Sequence, residues 1–300
     1  VRRRRPRWTH DLLRPGGILL SALQTNAPML YEMHMHTPMC HHAFGEPEDY
    51  AQVAEQRGLK GIVVTCHNPT NDGWSPTVRM SVDEFGEYVD LVDQAAQAWR
   101  GRVDVRLGLE SDYVPGMEPW LEELHTMAPL NHVLGSVHPH LPQYKERFHL
   151  GDIEQFQRTY FEHLALAAES GLFDTLGHPD LIKNIEPEAY DLPRLMDTIC
   201  AALDRIATAG TAMELNTSGL NKVVPEMNPG PEILREMYER GIPVVIGADA
   251  HKPERVAADF VQALDTLSAA GYSVVSNFLD RKRVELPIDA VRASLEGHQA

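Results

Sequence analysis

Met33-His34-Met35-His36-Thr37-Pro38-Met39-Cys40-His41-His42 places four histidines in ten residues. A short apolar run, Met29-Leu30-Tyr31, leads into it, and a helix-like segment follows from Pro47. That is the setting of a strand end. Residues two apart in a strand face the same side. His34 and His36 therefore aim their imidazoles at one point. Neutral imidazole is the commonest protein metal ligand, so two of them form half of a metal site. Two surface histidines beside a turn would look the same in isolation, and the rest of the chain decides.

The pattern of that stretch recurs. Strands are expected at about 29–35, 61–65, 103–109, 133–137, 173–176, 212–215 and 244–246. Amphipathic segments follow them at about 47–57, 81–100, 118–127, 152–169, 193–209, 230–240 and 254–270. Gly58, Gly101, Gly171, Gly210 and Gly241 stand where helices should stop. Ser81 with Glu84 reads as a capping box. A further strand is possible at 273–279. Successive β-then-α units imply an α/β fold on a parallel sheet, open or closed into a barrel. Long loops at 68–80, 139–151 and 216–229 all follow strand ends, the position where α/β barrels build their sites. Residues 1–28 read as a poorly ordered leader and 29–300 as one domain.

Composition narrows the partners. The formal net charge is −16, although the first seven residues hold five arginines and no acid. The remainder is more acidic still and repels phosphate backbones, so nucleic acid is not expected as a partner. A small phosphate substrate stays open, because bound cations invert a local field. Cys40, Cys66 and Cys200 form no Cys-x-x-Cys pair, which suits free thiols in a reducing, cytoplasmic compartment. The run Ile18-Leu19-Leu20-Ser21-Ala22-Leu23 is far shorter than the ~20 residues of a membrane span. A membrane is therefore not expected either, and the oligomeric state is not readable.

The strand ends, taken alone, read His34 and His36, His67, Glu110, His138, His178, then Asp249 with His251. The sixth ends in neutral Asn216-Thr217-Ser218. His41 and His42 lie on the first loop. A parallel barrel puts all these ends on one face. Any one of them is ordinary; their convergence is not. Mostly nitrogen donors with two carboxylates suit Zn, Mn or Fe rather than the oxygen-seeking Ca or Mg. That many ligands suit two to three divalent ions, and ions ~3.5–4 Å apart serve hydrolysis of phosphate esters. His140 is an alternative ligand or substrate contact. His10, His125, His132, His149, His163 and His298 receive no role. Cys66, one residue before His67, should point to the opposite side and read as core.

Seven segments carry a family resemblance. They are His34 to His42, Thr65-Cys66-His67-Asn68-Pro69, Gly108-Leu109-Glu110-Ser111-Asp112-Tyr113, Gly135-Ser136-Val137-His138, Gly177-His178-Pro179-Asp180-Leu181, Asn216-Thr217-Ser218-Gly219-Leu220 and Ala248-Asp249-Ala250-His251. In this order they resemble the PHP (polymerase and histidinol phosphatase) superfamily, most closely its histidinol-phosphatase branch. The resemblance implies a single-domain distorted (β/α)7 barrel with a trinuclear site at the C-terminal ends of the strands. His34, His36, Glu110 and Asp249 would hold one ion. Glu110, His138 and His178 would hold a second, and His42, His67 and His251 a third. His42 rather than His41 matches the family's ligand position.

The implied activity is hydrolysis of a small phosphomonoester by a metal-bound hydroxide. The best single substrate is L-histidinol phosphate, giving L-histidinol and phosphate in histidine biosynthesis. Glu110, Asp249 and His251 are the catalytic candidates. Lys183, Ser218 and Lys222 are candidates for binding phosphate, and Glu32, Asp112 and Tyr113 for binding the imidazole. The chain carries Asn221-Lys222 where relatives often carry arginine, so a bidentate phosphate contact is lost there. Two other readings compete: a PHP exonuclease or nucleotide or sugar phosphoesterase, and an inert metal-binding module. The acidic body counts against the first. The filled ligand positions count against the second.

Overall fold

The structure is a computed structural model, and it describes residues 18–19 and 29–298. The remainder of the expected leader lies outside the described residues. Its strand β1 (Ile18–Leu19) pairs in parallel with Val284 and Glu285.

Seven strands form one parallel sheet in sequence order. They are β2 (Tyr31–Glu32), β3 (Gly61–Val64), β4 (Asp104–Asp112), β5 (His132–Ser136), β6 (Thr175–Leu176), β7 (Ala212–Asn216) and β8 (Val244–Gly247). The first and last of these meet through a parallel bridge between Met35 and Ala250. There the His36 N–H donates to the Ala250 carbonyl at 2.9 Å, and the Ala250 N–H to the His34 carbonyl at 3.1 Å. The sheet is thereby closed into a (β/α)7 barrel.

The helices return each strand to the same end. They are α1 (Pro47–Gln56), α2 (Phe85–Ala98), α3 (Glu118–Leu124), α4 (Pro142–Phe148), α5 (Ile153–Glu169), α6 (Leu192–Ala209), α7 (Pro231–Glu239) and α8 (Phe260–Ala270). Their starts are set locally. Asp152 and Asp191 accept the N–H groups of Gln155 and Arg194 at the starts of α5 and α6, satisfying donors that a helix cannot satisfy itself. Gly210, at φ 77°, ends α6 in the left-handed region.

The differences from the sequence reading have physical causes. Glu84 accepts from both the N–H and the hydroxyl of Ser81, but helical bonding begins only at Phe85. The expected helix 254–270 breaks into a turn at Pro253–Arg255 and α8, because Ala257 and Asp259 take positive φ. The loop expected at 139–151 contains α4. Beyond the expected strand β9 (Val274–Leu279), the chain continues into β10 (Lys282–Pro287) and α9 (Ile288–Glu296), which periodicity did not mark.

The β9–β10 hairpin closes the lower end of the barrel. Phe278 packs with Tyr31, Met33, Val63, Ala212 and Val245 as a separate buried cluster. Its ring stacks on His132, with centroids 5.4 Å apart. At the hairpin turn the Arg281 guanidinium meets Asp174 at 2.5 Å, and the Arg281 N–H donates to the Asn131 carbonyl. The opposite end, where the strands finish, is left to polar side chains.

Candidate metal centre

All nine expected ligands converge at that upper end. Glu110, near the end of the long strand β4, is the node. Its Oε1 lies 3.4 Å from His34 Nε2, 3.3 Å from His138 Nε2 and 3.0 Å from His178 Nε2. Its Oε2 lies 2.9 Å from His67 Nδ1 and 3.6 Å from His36 Nε2. Asp249 Oδ1 is 3.2 Å from His36 Nε2 and 3.7 Å from His34 Nε2. Two further sets, His34 with His36 and Asp249, and His42 with His67 and His251, each bring three ligand atoms within 4.8 Å of one another.

The backbone supports this convergence at a cost. His178 and Asp249 take φ of 29° and 49°, values that non-glycine residues rarely adopt and that concentrate at functional positions. Gly247 makes room inside the barrel: a Cβ there would stand 2.0 Å from Glu214 Oε1 and 2.7 Å from His34 Cβ.

Second partners orient the rings. His34 Nδ1 donates to Glu214 Oε1 at 2.8 Å, and His138 Nδ1 to Asp112 Oδ1 at 2.9 Å. His42 Nδ1 donates to the Cys40 carbonyl at 2.7 Å, and His251 Nδ1 to the Asp249 carbonyl at 3.0 Å. Each such bond turns Nε2 toward the centre, where a neutral ring presents a lone pair; against burial, Glu214 and Glu110 hold the His34 ring well above its usual range and Asp112 and Glu110 push His138 up to about 10, so a bound metal would displace a proton from each. The clearest result is at His42 and His251, whose Nε2 atoms stand 2.9 Å apart. Two imidazole nitrogens at that separation share either a proton or a metal ion. Burial, with the neighbouring His36, pushes the His251 ring down to about 2, so it is a neutral donor.

Electrostatics say the same of the carboxylates. Burial would raise the pKa of Glu110, but the His67, His34 and His138 rings overcome it and hold the carboxyl well below its usual range. Asp249 is likewise held down, against burial, by His34 and His36. Buried anions need compensating charge. His34 Nε2, His67 Nδ1, Glu110 Oε2 and both His36 nitrogens are buried without a hydrogen-bond partner. The donor set, the orphaned atoms and the charge therefore fit divalent metal ions bound by nitrogen and carboxylate.

Above the cluster opens a cavity of about 630 Å³. Val78, Leu141, Leu181, Ile185 and Val223 supply an apolar wall, while Arg79, His140, Asn221 and Lys222 supply polar groups. Such a mixture is typical of a small-molecule site. Lys222 Nζ lies 3.8 Å from Asp249 Oδ2, and the Ser218 hydroxyl donates to the same oxygen at 3.1 Å.

Four expectations about substrate contacts are corrected. Lys183 does not line the cavity: it is 2% exposed, and its ammonium donates to Asp180, Glu226 and the Met227 carbonyl. Glu32 is wholly buried and accepts the N–H groups of His34, Ala248 and Ala257. Asp112 is held by Arg79, Trp74 and His138, so it positions His138 and is closed to substrate. The Tyr113 hydroxyl is bonded to Glu118. His41 is exposed and outside the cluster.

The sequence reading missed Glu214 and Arg79. Glu214 is fully buried and holds His34, the His178 N–H and Asn216 Nδ2 together. An acid inside the apolar strand Ala212–Leu215 was the available signal. Arg79 is 2% exposed and joins Asn68 and Asp112; nothing in its loop marked it.

This fold with this cluster defines a metal-dependent hydrolase built on a (β/α)7 barrel. The model of the PHP domain matches residues 32–218, and the chain belongs to the PHP family. It is 38% identical over 267 residues to a probable histidinol-phosphatase of Deinococcus radiodurans, covering 84% of this chain and 98% of that one. It is 27% identical to the histidinol-phosphatase of Bacillus subtilis, covering 73% of this chain and 92% of that one. Among solved structures, the histidinol phosphate phosphatase of Lactococcus lactis, complexed with zinc, L-histidinol and phosphate, shares the fold. The TM-score is 0.72 at 19% identity, covering 85% of this chain and 98% of that one.

Proposed function

We propose that the chain is a metal-dependent phosphoric monoester hydrolase that converts L-histidinol phosphate to L-histidinol and phosphate, a step of histidine biosynthesis. The observation that carries the reading is the convergence of His34, His36, His42, His67, Glu110, His138, His178, Asp249 and His251 on one face, with lone pairs opposed. The relatives named histidinol-phosphatase support the substrate.

Two to three divalent ions, with zinc, manganese or iron suited to the donors, would be held by three groups. The first is His34, His36, Glu110 and Asp249. The second is Glu110, His138 and His178. The third is His42, His67 and His251. Bound there, such ions polarise phosphoryl oxygens and lower the pKa of water toward about 7.

The chain's own residues do the rest. Glu110, Asp249 and His251 hold the reacting region. Glu214 and Asp112 hold the His34 and His138 rings so that Nε2 faces inward. Lys222 stands beside Asp249 at the wall, where its ammonium meets substrate phosphate oxygens, and Ser218, outside the cavity lining, donates its hydroxyl to Asp249. Lys222 is a point charge, so phosphate recognition here is less directional than an arginine fork provides.

We place the enzyme in the cytoplasm, on the biosynthetic role of the reaction and three free cysteines. Among the described residues, no helix is long and apolar enough to cross a membrane.

The test is phosphate release by the zinc- or manganese-loaded chain from histidinol phosphate, sugar phosphates and nucleotides. Histidinol phosphate should give the highest kcat/KM. Equal turnover by the metal-stripped chain would refute the proposal, and a nucleotide preferred over histidinol phosphate would replace the substrate.

A further inference from the structure

The loop after β7 turns back on itself. At its base the Asn216 N–H donates to the Asn228 carbonyl at 2.7 Å, and the Asn228 N–H to the Asn216 carbonyl at 3.0 Å. Its two limbs lie close together: a Cβ on Gly219 would stand 2.2 Å from the Glu226 carbonyl oxygen. Asn221, Lys222 and Val223 ride the crest and line the cavity. A lysine on such a crest has a flexible four-carbon stem and much rotamer freedom to lose. Lys222 Nζ nevertheless stands 3.8 Å from Asp249 Oδ2.

The crest is held from outside the loop, by the segment that follows the ligand His178. Asn184 Oδ1 accepts the Val224 N–H at 2.9 Å, two residues past Lys222. Asn184 Nδ2 is itself bonded to the Leu181 carbonyl at 3.3 Å. Lys183 Nζ donates to Glu226 Oε2 and to the Met227 carbonyl, both at 2.9 Å. Asp180 completes the grip. Its Oδ2 accepts from Lys183 Nζ at 3.0 Å and from the Gly230 N–H at 2.9 Å, and its Oδ1 accepts from Asn228 Nδ2. Lys183 and Asp180 are both buried, and a buried polar network with its bonds filled is rigid.

We propose that Lys183 and Asn184 clasp the loop 219–228 to the segment after His178 and so hold the Lys222 ammonium where it meets substrate phosphate. Both are positioning residues that act through Lys222. A merely structural clasp would set folding stability and leave phosphate affinity alone. The inference rests on the phosphate contact assigned to Lys222 above.

The test uses the zinc-loaded chain with two substitutions. Asn184→Ala removes the acceptor for the Val224 N–H. Glu226→Ala removes an acceptor for Lys183, and Glu226 stands outside the cavity lining, so its loss reaches substrate only through the clasp. KM and kcat are measured with histidinol phosphate, and the affinity for inorganic phosphate by calorimetry. Each variant should raise KM and weaken phosphate binding by about 3- to 10-fold, with kcat changed by less than about twofold and zinc stoichiometry unchanged, the signature of lost ground-state binding. Glu226→Gln, which keeps an acceptor, should recover most of the loss. In a Lys222→Ala background both substitutions should add less than about twofold, because the group they position is gone. Parent-like KM and phosphate affinity overturn the proposal, as does a full effect that persists without Lys222. A fall in zinc stoichiometry also overturns it, since the clasp would then serve His178. Where Asn184→Ala does not fold, Glu226→Ala and Glu226→Gln decide alone. Parent-like phosphate affinity in Lys222→Ala refutes the phosphate contact itself, a separate failure visible in that single variant.

Discussion

The two ends of the barrel are built from the same seven strands and solve opposite problems. At the lower end, Phe278 fills the axis among Tyr31, Met33, Val63, Ala212 and Val245, and His132 bonds Thr175 Oγ1 at 2.9 Å. At the upper end, imidazoles and carboxylates face one another with orphaned buried atoms and two strained backbones. The contrast teaches where free energy is stored. The lower end supplies stability that the upper end gives up for chemistry, as expected of α/β barrels.

The contrast breaks first at the ligands. Asp249→Ala should lower phosphate release from histidinol phosphate by more than about 10³-fold, the scale of several kcal/mol of lost charge stabilisation. The denaturation midpoint of the metal-free chain should hardly move. A variant keeping a tenth of the activity would show that the upper end is not the site.

At the lower end the pattern reverses. Phe278→Ala should cost about 3–5 kcal/mol in urea unfolding, while the metal content and kcat of the surviving folded enzyme stay unchanged. A fall in zinc stoichiometry would show that the two ends are not separable.

Glu214→Gln sharpens the division from inside the barrel. It should weaken zinc binding by roughly 10- to 100-fold, through the orientation of His34. Unaltered affinity would reduce Glu214 to a packing group.

The smallest effect concerns pH. Burial, with His34 and Arg281 nearby, pushes the His132 ring down to about 3. Its folded pKa lies below the unfolded ~6.5, so the unfolded chain binds the proton first. The contribution is complete above pH 6.5 and is lost as pH falls from there toward 3. In the metal-free protein, His132→Gln should flatten the pH dependence of unfolding free energy in this window. The change should be up to about 1.4 kcal/mol per pH unit. An unchanged slope would show that His132 titrates normally.

The barrel was readable because parallel strands and amphipathic helices impose periodicities of two and 3.6, and glycines such as Gly58 and Gly210 mark the stops. The candidate ligands were readable because a parallel barrel collects strand ends regardless of spacing. What escaped was whatever depends on the interior. Glu214 sits in a strand that reads as apolar, and its role exists only once Gly247 lets His34 approach. Lys183 looked free beside His178-Pro179-Asp180, but the loop carrying Glu226 and Met227 folds over it. β10 and α9 follow an irregular pattern, because their packing serves the barrel floor rather than a repeating unit. Only half of the Ser81 box formed: Glu84 accepts the Ser81 N–H, but the Ser81 hydroxyl donates to the Glu84 carboxylate instead of accepting its N–H, and helical bonding starts later.

Five histidine nitrogens lie within 3.6 Å of the single Glu110 carboxylate. An anion shared so widely cannot respond to one occupant alone. Each ion that arrives alters the field and the geometry offered to the next, and the coupling is reciprocal. Metal uptake should therefore depart from independent hyperbolic filling, and the dose at which the enzyme switches on should be a property of the ensemble of ions rather than of any one of them.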